Sequence, residues 1–383
     1  MFAAGTLSVA KVQKRNAWRY YTRRVAFGDG RRPVGQSLKD AQEMAGLPPG
    51  RWLGRGLAAL GLTGGAEVSE RQLELLFGQG RHPDADRIER GLLDDGADQA
   101  TARLTTVLGQ PIEEIEARKQ TPLLALDFTF RPQASLIVLW ALGDARTRRI
   151  IERAHERATA KALRWLEDEV AETRWSSGRE RAKTPALVVA AFRHFDNRDN
   201  FPLLHDHCLI LYRVQRLDDG EPVWGALDTR RRYRHVVAAG TLYTLAMTTE
   251  VCEELGLATV PRDVTPGLRP VMEIAGVDSG LIDWSSTRRQ RIEDALEGLT
   301  YEYAQKHGRR PACCPTAPSR SPRPCATTTR TAAPDPNSPA LRLPKRSAPT
   351  SGGRGSSART AATTPAGRSP LSSWRSASGR DTA

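Results

Sequence analysis

Two apolar runs, Ala186-Leu-Val-Val-Ala-Ala-Phe-Arg-His194 and His205-Asp-His-Cys-Leu-Ile-Leu-Tyr212, flank a polar loop over residues 195–204 that contains Pro202. Their length and composition predict two β-strands folded back antiparallel on each other. This pairing constrains the chain most, because strand geometry decides which side chains share a face. Residues i and i+2 project to the same side, so His205 and His207 point together, and His194 ends the neighbouring strand beside them. The H-x10-H-x-H pattern gathers three of the chain's seven histidines into one hairpin. Three neutral imidazoles can hold a divalent ion while leaving positions open for water or a substrate oxygen, which marks a catalytic rather than a closed structural centre. His194, His205 and His207 are therefore the candidate metal ligands. The competing reading is a set of unrelated polar residues at a strand end.

The chain has 383 residues, of which 39% are hydrophobic, enough for a core in part of it. From Gly308 onward Pro, Ser, Thr, Ala, Gly and Arg dominate and apolar periodicity ceases, so residues 308–383 read as a disordered basic tail behind a folded region over 1–307. That tail holds 13 Lys+Arg against 2 Asp+Glu, a net +11 out of the chain's +13, leaving +2 for residues 1–307. Overall charge therefore does not by itself argue for nucleic acid. Local basic clusters such as Arg23-Arg24 and Arg230-Arg231-Arg232 read first as solvated faces. The five cysteines form no C-x-x-C pair and suggest no disulfide framework. No apolar stretch reaches membrane-spanning length; the longest, Ala134–Gly143, fits a strand and turn. Lys11, Lys14 and Arg15 follow the first apolar residues rather than precede them, unlike a signal peptide, so a cytoplasmic protein without membrane insertion is expected.

Along the chain, residues 8–27 read as helical, with Tyr20-Tyr21 on or just beyond that helix and a turn at Gly28-Asp-Gly30. Leu123–Phe130 reads as a strand with Asp127 a lone carboxylate among apolar neighbours. A long helix is expected from Asp144, its N-cap, to about Arg174, followed by the histidine strands, a strand over Pro222–Leu227, and helices over Ala238–Leu255 and Ser285–His307. Hairpin-linked strands mixed irregularly with helices indicate an α+β fold, an antiparallel sheet backed by helices.

Taken in order, several landmarks resemble the tyrosine relaxases of conjugative plasmids, the MobF or TrwC/TraI-like family. They are Tyr20-Tyr21, the loop Gly50-Arg-Trp-Leu-Gly-Arg-Gly56, Leu126-Asp-Phe-Thr-Phe130 with Ser135 after it, Ala154-His155, Thr173-Arg174, and His194 to His207. The resemblance covers about residues 5–307. It implies the palm-like antiparallel sheet of HUH endonucleases carrying the three histidines, and a nucleophilic tyrosine delivered from the amino-terminal segment. The implied reaction is strand-specific nicking at a transfer origin, in which a tyrosine attacks a DNA phosphate with help from a divalent ion (Mg, Mn or Zn), forms a 5′-phosphotyrosyl intermediate and later religates. By the same resemblance Asp127 orients a histidine or takes the tyrosine proton. The sequence leaves open which of Tyr20 and Tyr21 attacks; Tyr20 is the preferred choice, with Tyr21 packing. Expected partners are single-stranded or hairpin origin DNA, with relaxosome accessory proteins and a coupling protein.

The sequence also departs from the family pattern. Val25-Ala-Phe27 stands where many relatives carry a second tyrosine pair, Ala134 where a lysine usually precedes the serine, and Asp206 lies between the two close histidines. No G-x-x-x-x-G-K-[ST] phosphate loop is present, so ATP-driven unwinding is not expected, and the abrupt change near residue 308 suggests truncation or a frameshift before a helicase domain. The alternative function is a nicking-deficient origin-binding remnant; a cupin-like or hydrolase metal site is a more distant reading.

Overall fold

Alternating side chains decide the architecture. The computed structural model describes residues 6–13, 16–27, 32–175, 179–197, 201–218, 220–264 and 269–309. The Gly28-Asp-Gly30 turn and the tail beyond Arg309 lie outside the described residues. Residues 1–297 form one unit; of a second, 298–368, the described part is the end of the last helix.

In chain order the first elements are β1 (Leu7–Val12), α1 (Ala17–Arg23), α2 (Leu38–Ala45), β2 (Arg51–Leu53), α3 (Glu70–Leu73), α4 (Ala85–Asp94), α5 (Gln99–Thr105) and α6 (Ile112–Ala117). Then come β3 (Ala125–Phe130), α7 (Ala134–Leu142), α8 (Ala145–Trp165), β4 (Glu172–Trp175), β5 (Glu180–Lys183), β6 (Val189–Asp196) and β7 (Pro202–Leu211). The chain continues through β8 (Arg213–Asp218), β9 (Glu221–Ala226), α9 (Thr229–Leu255), β10 (Thr259–Arg262), β11 (Val271–Ile274), α10 (Ser279–Ser285) and α11 (Thr287–His307).

Five strands form the central antiparallel sheet in the order β1-β3-β7-β6-β2. Both of its faces are covered. Leu126, Phe128, Phe130, Leu204, Cys208 and Ile210 pack on one side in a core shared with α7, α8 and α9. Ala125, Ala190, Phe192, Leu209 and Leu211 face the other side, where Tyr21, Trp52, Leu73 and Phe77 cover them. An α+β architecture with helices behind an antiparallel sheet is thus what forms. The α8 prediction holds at its start: Asp144 accepts from the Thr147 amide at 2.8 Å, and Ile151, Ala154, Ala158 and Ala162 make its buried stripe.

Three local expectations are corrected. Residues 7–12 form an edge strand rather than the start of a helix, because their backbone partner is the distant β3, which local periodicity cannot reveal. Ala134–Leu142 is a helix rather than a strand and turn. It is apolar on nearly all sides and buries Leu136, Ile137, Val138 and Trp140, so it carries no amphipathic signature. The long helix ends earlier than Arg174, loosening into a wider π turn at Leu166–Val170 before β4.

The glycine-rich loop after β2 seats the sheet's far edge. Gly54 has φ +100°, and a Cβ there would overlap the Leu187 carbonyl, while the Gly56 amide donates to that same carbonyl at 2.9 Å. Gly54→Ala is expected to cost at least about 2 kcal/mol through the combined φ strain and overlap. Urea unfolding checks this; a change below about 0.5 kcal/mol would show that the loop relaxes freely.

Candidate metal centre and tyrosine site

The β6–β7 register sets His194 directly opposite His205, and His207 lies one pleat along on the same face. Ring centroids are 4.7 Å apart for His194 and His205, 4.9 Å for His194 and His207, and 5.2 Å for His205 and His207. One nitrogen on each ring lies within 4.8 Å of those on the other two. Outer partners orient the rings. His205 Nδ1 donates to the Leu203 carbonyl at 2.8 Å, and His194 Nε2 donates to the Val25 carbonyl. His207 Nδ1 meets both Asp127 oxygens at 3.0 and 2.9 Å, with the Thr129 hydroxyl at 3.3 Å. Nδ1 donation leaves Nε2 of His205 and His207 as the coordinating nitrogen. Burial, reinforced by His207 alongside, pushes the His205 pKa down to about 3, so the ring is neutral near pH 7, the form that binds metal. The donor set, spacing and protonation fit a divalent ion.

Asp127 joins this trio to the amino-terminal segment. It projects from β3 on the same face, and its Oδ2 accepts from the Tyr21 hydroxyl at 3.1 Å. Tyr21 is 5% exposed and its neighbour Tyr20 is 43% exposed, the two rings meeting edge to face at 5.5 Å. Adjacent helical residues point about 100° apart, so only one of them can reach inward. Here it is Tyr21, not Tyr20, whose hydroxyl reaches the carboxylate. Burial, and then the Asp127 charge, raise the Tyr21 pKa well above the ordinary phenol value, so the phenol keeps its proton and donates it. The bond from His194 to Val25 ties the turn after α1 to the sheet and thereby holds Tyr21 in place.

A second polar group lies beneath the histidines, on the opposite face of β6 and β7. Asp206 accepts from Arg193 Nε at 2.9 Å and Nη2 at 3.0 Å, and its Oδ1 lies 3.2 Å from His155 Nε2. His155 Nδ1 is in turn 2.7 Å from the Tyr243 hydroxyl. Burial alone would raise the Asp206 carboxyl, but Arg193 and His155 hold it well below the usual carboxylate range. Asp206 therefore points away from the metal site. Sequence reasoning singled it out as an oddity and missed its partners; a charged residue at an inward strand position opposite a helix bearing His155 was the available signal. Ser135 is likewise engaged inside the fold: its hydroxyl donates to Glu273 at 2.6 Å and accepts from the Ile274 amide at 2.8 Å.

Replacing Asp127 with asparagine is expected to weaken Mn²⁺ binding by about 10–100-fold, since the amide can no longer hold His207 as a full carboxylate does. Isothermal titration checks it, and unchanged affinity would remove Asp127 from the centre.

The family model described as TrwC relaxase matches residues 14–338 of this chain. The chain is similar to the multifunctional conjugation protein TraI of Escherichia coli strain K12, with 28% identity over 270 residues. That alignment takes in 67% of this chain but 13% of the relative, so the chain spans a small part of the length of the curated proteins it matches. Among solved structures it is similar to the conjugative relaxase TrwC in complex with oriT DNA in a metal-bound structure. There the TM-score is 0.54 and the identity 23%, over 79% of this chain and 84% of that one. It is also similar to TrwC complexed with a 27-mer DNA comprising the recognition hairpin and the cleavage site, at TM-score 0.51 and 22% identity over 80% of this chain and 84% of that one. At such identities the structural likeness establishes a shared fold.

Proposed function

The chain belongs to the TrwC relaxase family, and from that membership and the geometry above we propose that it is a metal-dependent DNA strand transferase that nicks one strand at a plasmid transfer origin and religates it. One observation carries the reading: the hydrogen-bonded chain from the Tyr21 hydroxyl through Asp127 to His207, one of three clustered histidines.

His194, His205 and His207 would hold the divalent ion, which when bound supplies polarisation of the non-bridging phosphate oxygens. The other steps belong to the protein. Asp127 takes the phenolic proton as the tyrosine oxygen attacks phosphorus. The bond from phosphorus to the 3′ oxygen breaks, the 3′ oxygen leaves and takes up a proton, and the 5′ phosphate stays on the tyrosine. Reversal by a 3′ hydroxyl religates the strand, because the phosphodiester energy is kept in the phosphotyrosyl bond. Geometry favours Tyr21 as the attacker, since its hydroxyl already sits on Asp127, with Tyr20 standing outside it. In this reading residues 1–307 are the relaxase domain, acting in the cytoplasm on single-stranded or hairpin origin DNA with accessory and coupling proteins. None of the helices over the described residues is long and apolar enough to cross a membrane.

A denaturing gel of the protein with Mn²⁺ and origin single strand tests the proposal, beside Tyr20→Phe and Tyr21→Phe. A covalent adduct lost only in Tyr21→Phe supports the full assignment. Loss only in Tyr20→Phe moves the attack to Tyr20 and leaves Tyr21 as the phenol that holds Asp127. DNA binding by a folded protein that forms no adduct would favour the binding-module alternative.

A further inference from the structure

Behind the histidines, on the helix-covered side of the sheet, runs a connected set of polar groups that the proposed reaction does not use. Arg193 and Asp206 face each other across β6 and β7, the first next to His194 and the second between His205 and His207. Their two-pronged bond, at 2.9 and 3.0 Å, is mostly buried, with side-chain exposures of 11% and 8%. From Asp206 the contacts run outward to the helices, first to His155 of α8 at 3.2 Å and from there to the Tyr243 hydroxyl of α9 at 2.7 Å. Both residues are fully buried. The imidazole turns one nitrogen towards each neighbour, so a flip of the ring would lose both contacts. Tyr243 is fixed in its turn: its ring packs on Phe130 at 5.3 Å, and Phe130 lies opposite Asp206 on β3.

A buried ion pair adds little net stability compared with an apolar pair of the same size, so stability alone does not explain one at this place. Strand register does. The β6–β7 ladder is regular through Arg193↔Asp206 and His194↔His205, then slips at a bulge before Asp196↔Pro202. A bulge bends and twists its strand, and His194 and His205 stand at its edge. A guanidinium and a carboxylate meeting through two bonds have one preferred geometry, which fixes the strands against each other one residue before the slip. We propose that His155 and Tyr243 are positioning residues of the metal centre. Through Asp206 they hold the part of β7 that carries His205 and His207, and Arg193 holds β6 beside His194, so that the three imidazoles converge before an ion arrives. The inference rests on the histidine cluster being a metal centre, as read above, and on nothing in the nicking step.

The test is isothermal titration of the full chain with Mn²⁺, beside the visible absorption of Co²⁺ bound in its place, whose bands report the geometry of the ligands. Tyr243→Phe keeps the shape of the ring and removes only the hydroxyl. It is expected to weaken Mn²⁺ binding about threefold, and His155→Leu about tenfold, at or below the lower end of what outer groups around a metal supply. His155→Gln, which can still donate to Asp206, should recover part of that loss. Tyr243→Phe combined with His155→Leu should bind as His155→Leu alone does, because the two residues act in series. Each of these variants should shift the Co²⁺ bands. Ile151→Val, an apolar change in the same core, is expected to lower the urea midpoint without moving either metal readout. Wild-type affinity and spectrum in both Tyr243→Phe and His155→Leu would overturn the assignment and leave the network a prop of the fold. So would a loss of affinity in Ile151→Val as large as in His155→Leu, since affinity would then follow stability alone. Failure of the metal reading shows differently, as a wild-type chain that takes up neither ion, and it overturns this inference as well.

Discussion

His205→Ala is expected to abolish the covalent DNA adduct and to lower Mn²⁺ affinity by more than about 100-fold, beyond what loss of an outer-shell partner costs. Burial keeps this imidazole neutral, so it presents a lone pair at any pH near 7, and its Nδ1 bond to Leu203 fixes the ring. The remaining His194 and His207 would make a two-ligand centre, which holds a divalent ion weakly against water. Isothermal titration with Mn²⁺ and the denaturing gel read the two effects separately. Adduct formation at the wild-type level would mean that the histidine cluster serves the fold and not the reaction.

The second large effect concerns stability and sits on the other face of the same strands. Asp206→Ala is expected to destabilise the protein by about 3–5 kcal/mol, because it leaves the Arg193 guanidinium in a mostly buried site without its two-pronged partner. His155, fully buried, loses the same carboxylate. Changing both members, as Arg193→Met with Asp206→Leu, should recover much of the loss, since no uncompensated charge is left. Urea unfolding of the single and double variants gives the coupling; a single variant within about 1 kcal/mol of wild type would show that water reaches the guanidinium. Metal affinity of the double variant is informative as well. If it stays near wild type, the network supports the sheet; if it falls, the network also sets the spacing of His205 and His207, its neighbours on β7.

Local alternation determined much of this protein from its sequence. Because a strand has period two, the spacing of His205 and His207 placed them on one face, with His194 reached only through the register of the hairpin, and the same rule set Asp127 apart from Leu126 and Phe128. Asp144 as a cap and the alanine-rich stripe of α8 were legible for the same reason, being interactions between residues close in the chain. Tertiary structure alone decided three matters. It paired β1 with β3, chose Tyr21 over Tyr20 as the partner of Asp127, and brought Arg193, His155 and Tyr243 together around Asp206. Each depends on which distant element packs against which face. Neither the rotation of α1 about its own axis nor the approach of α8 and α9 to the back of the sheet is written in any local period; both are set by the packing of the two cores.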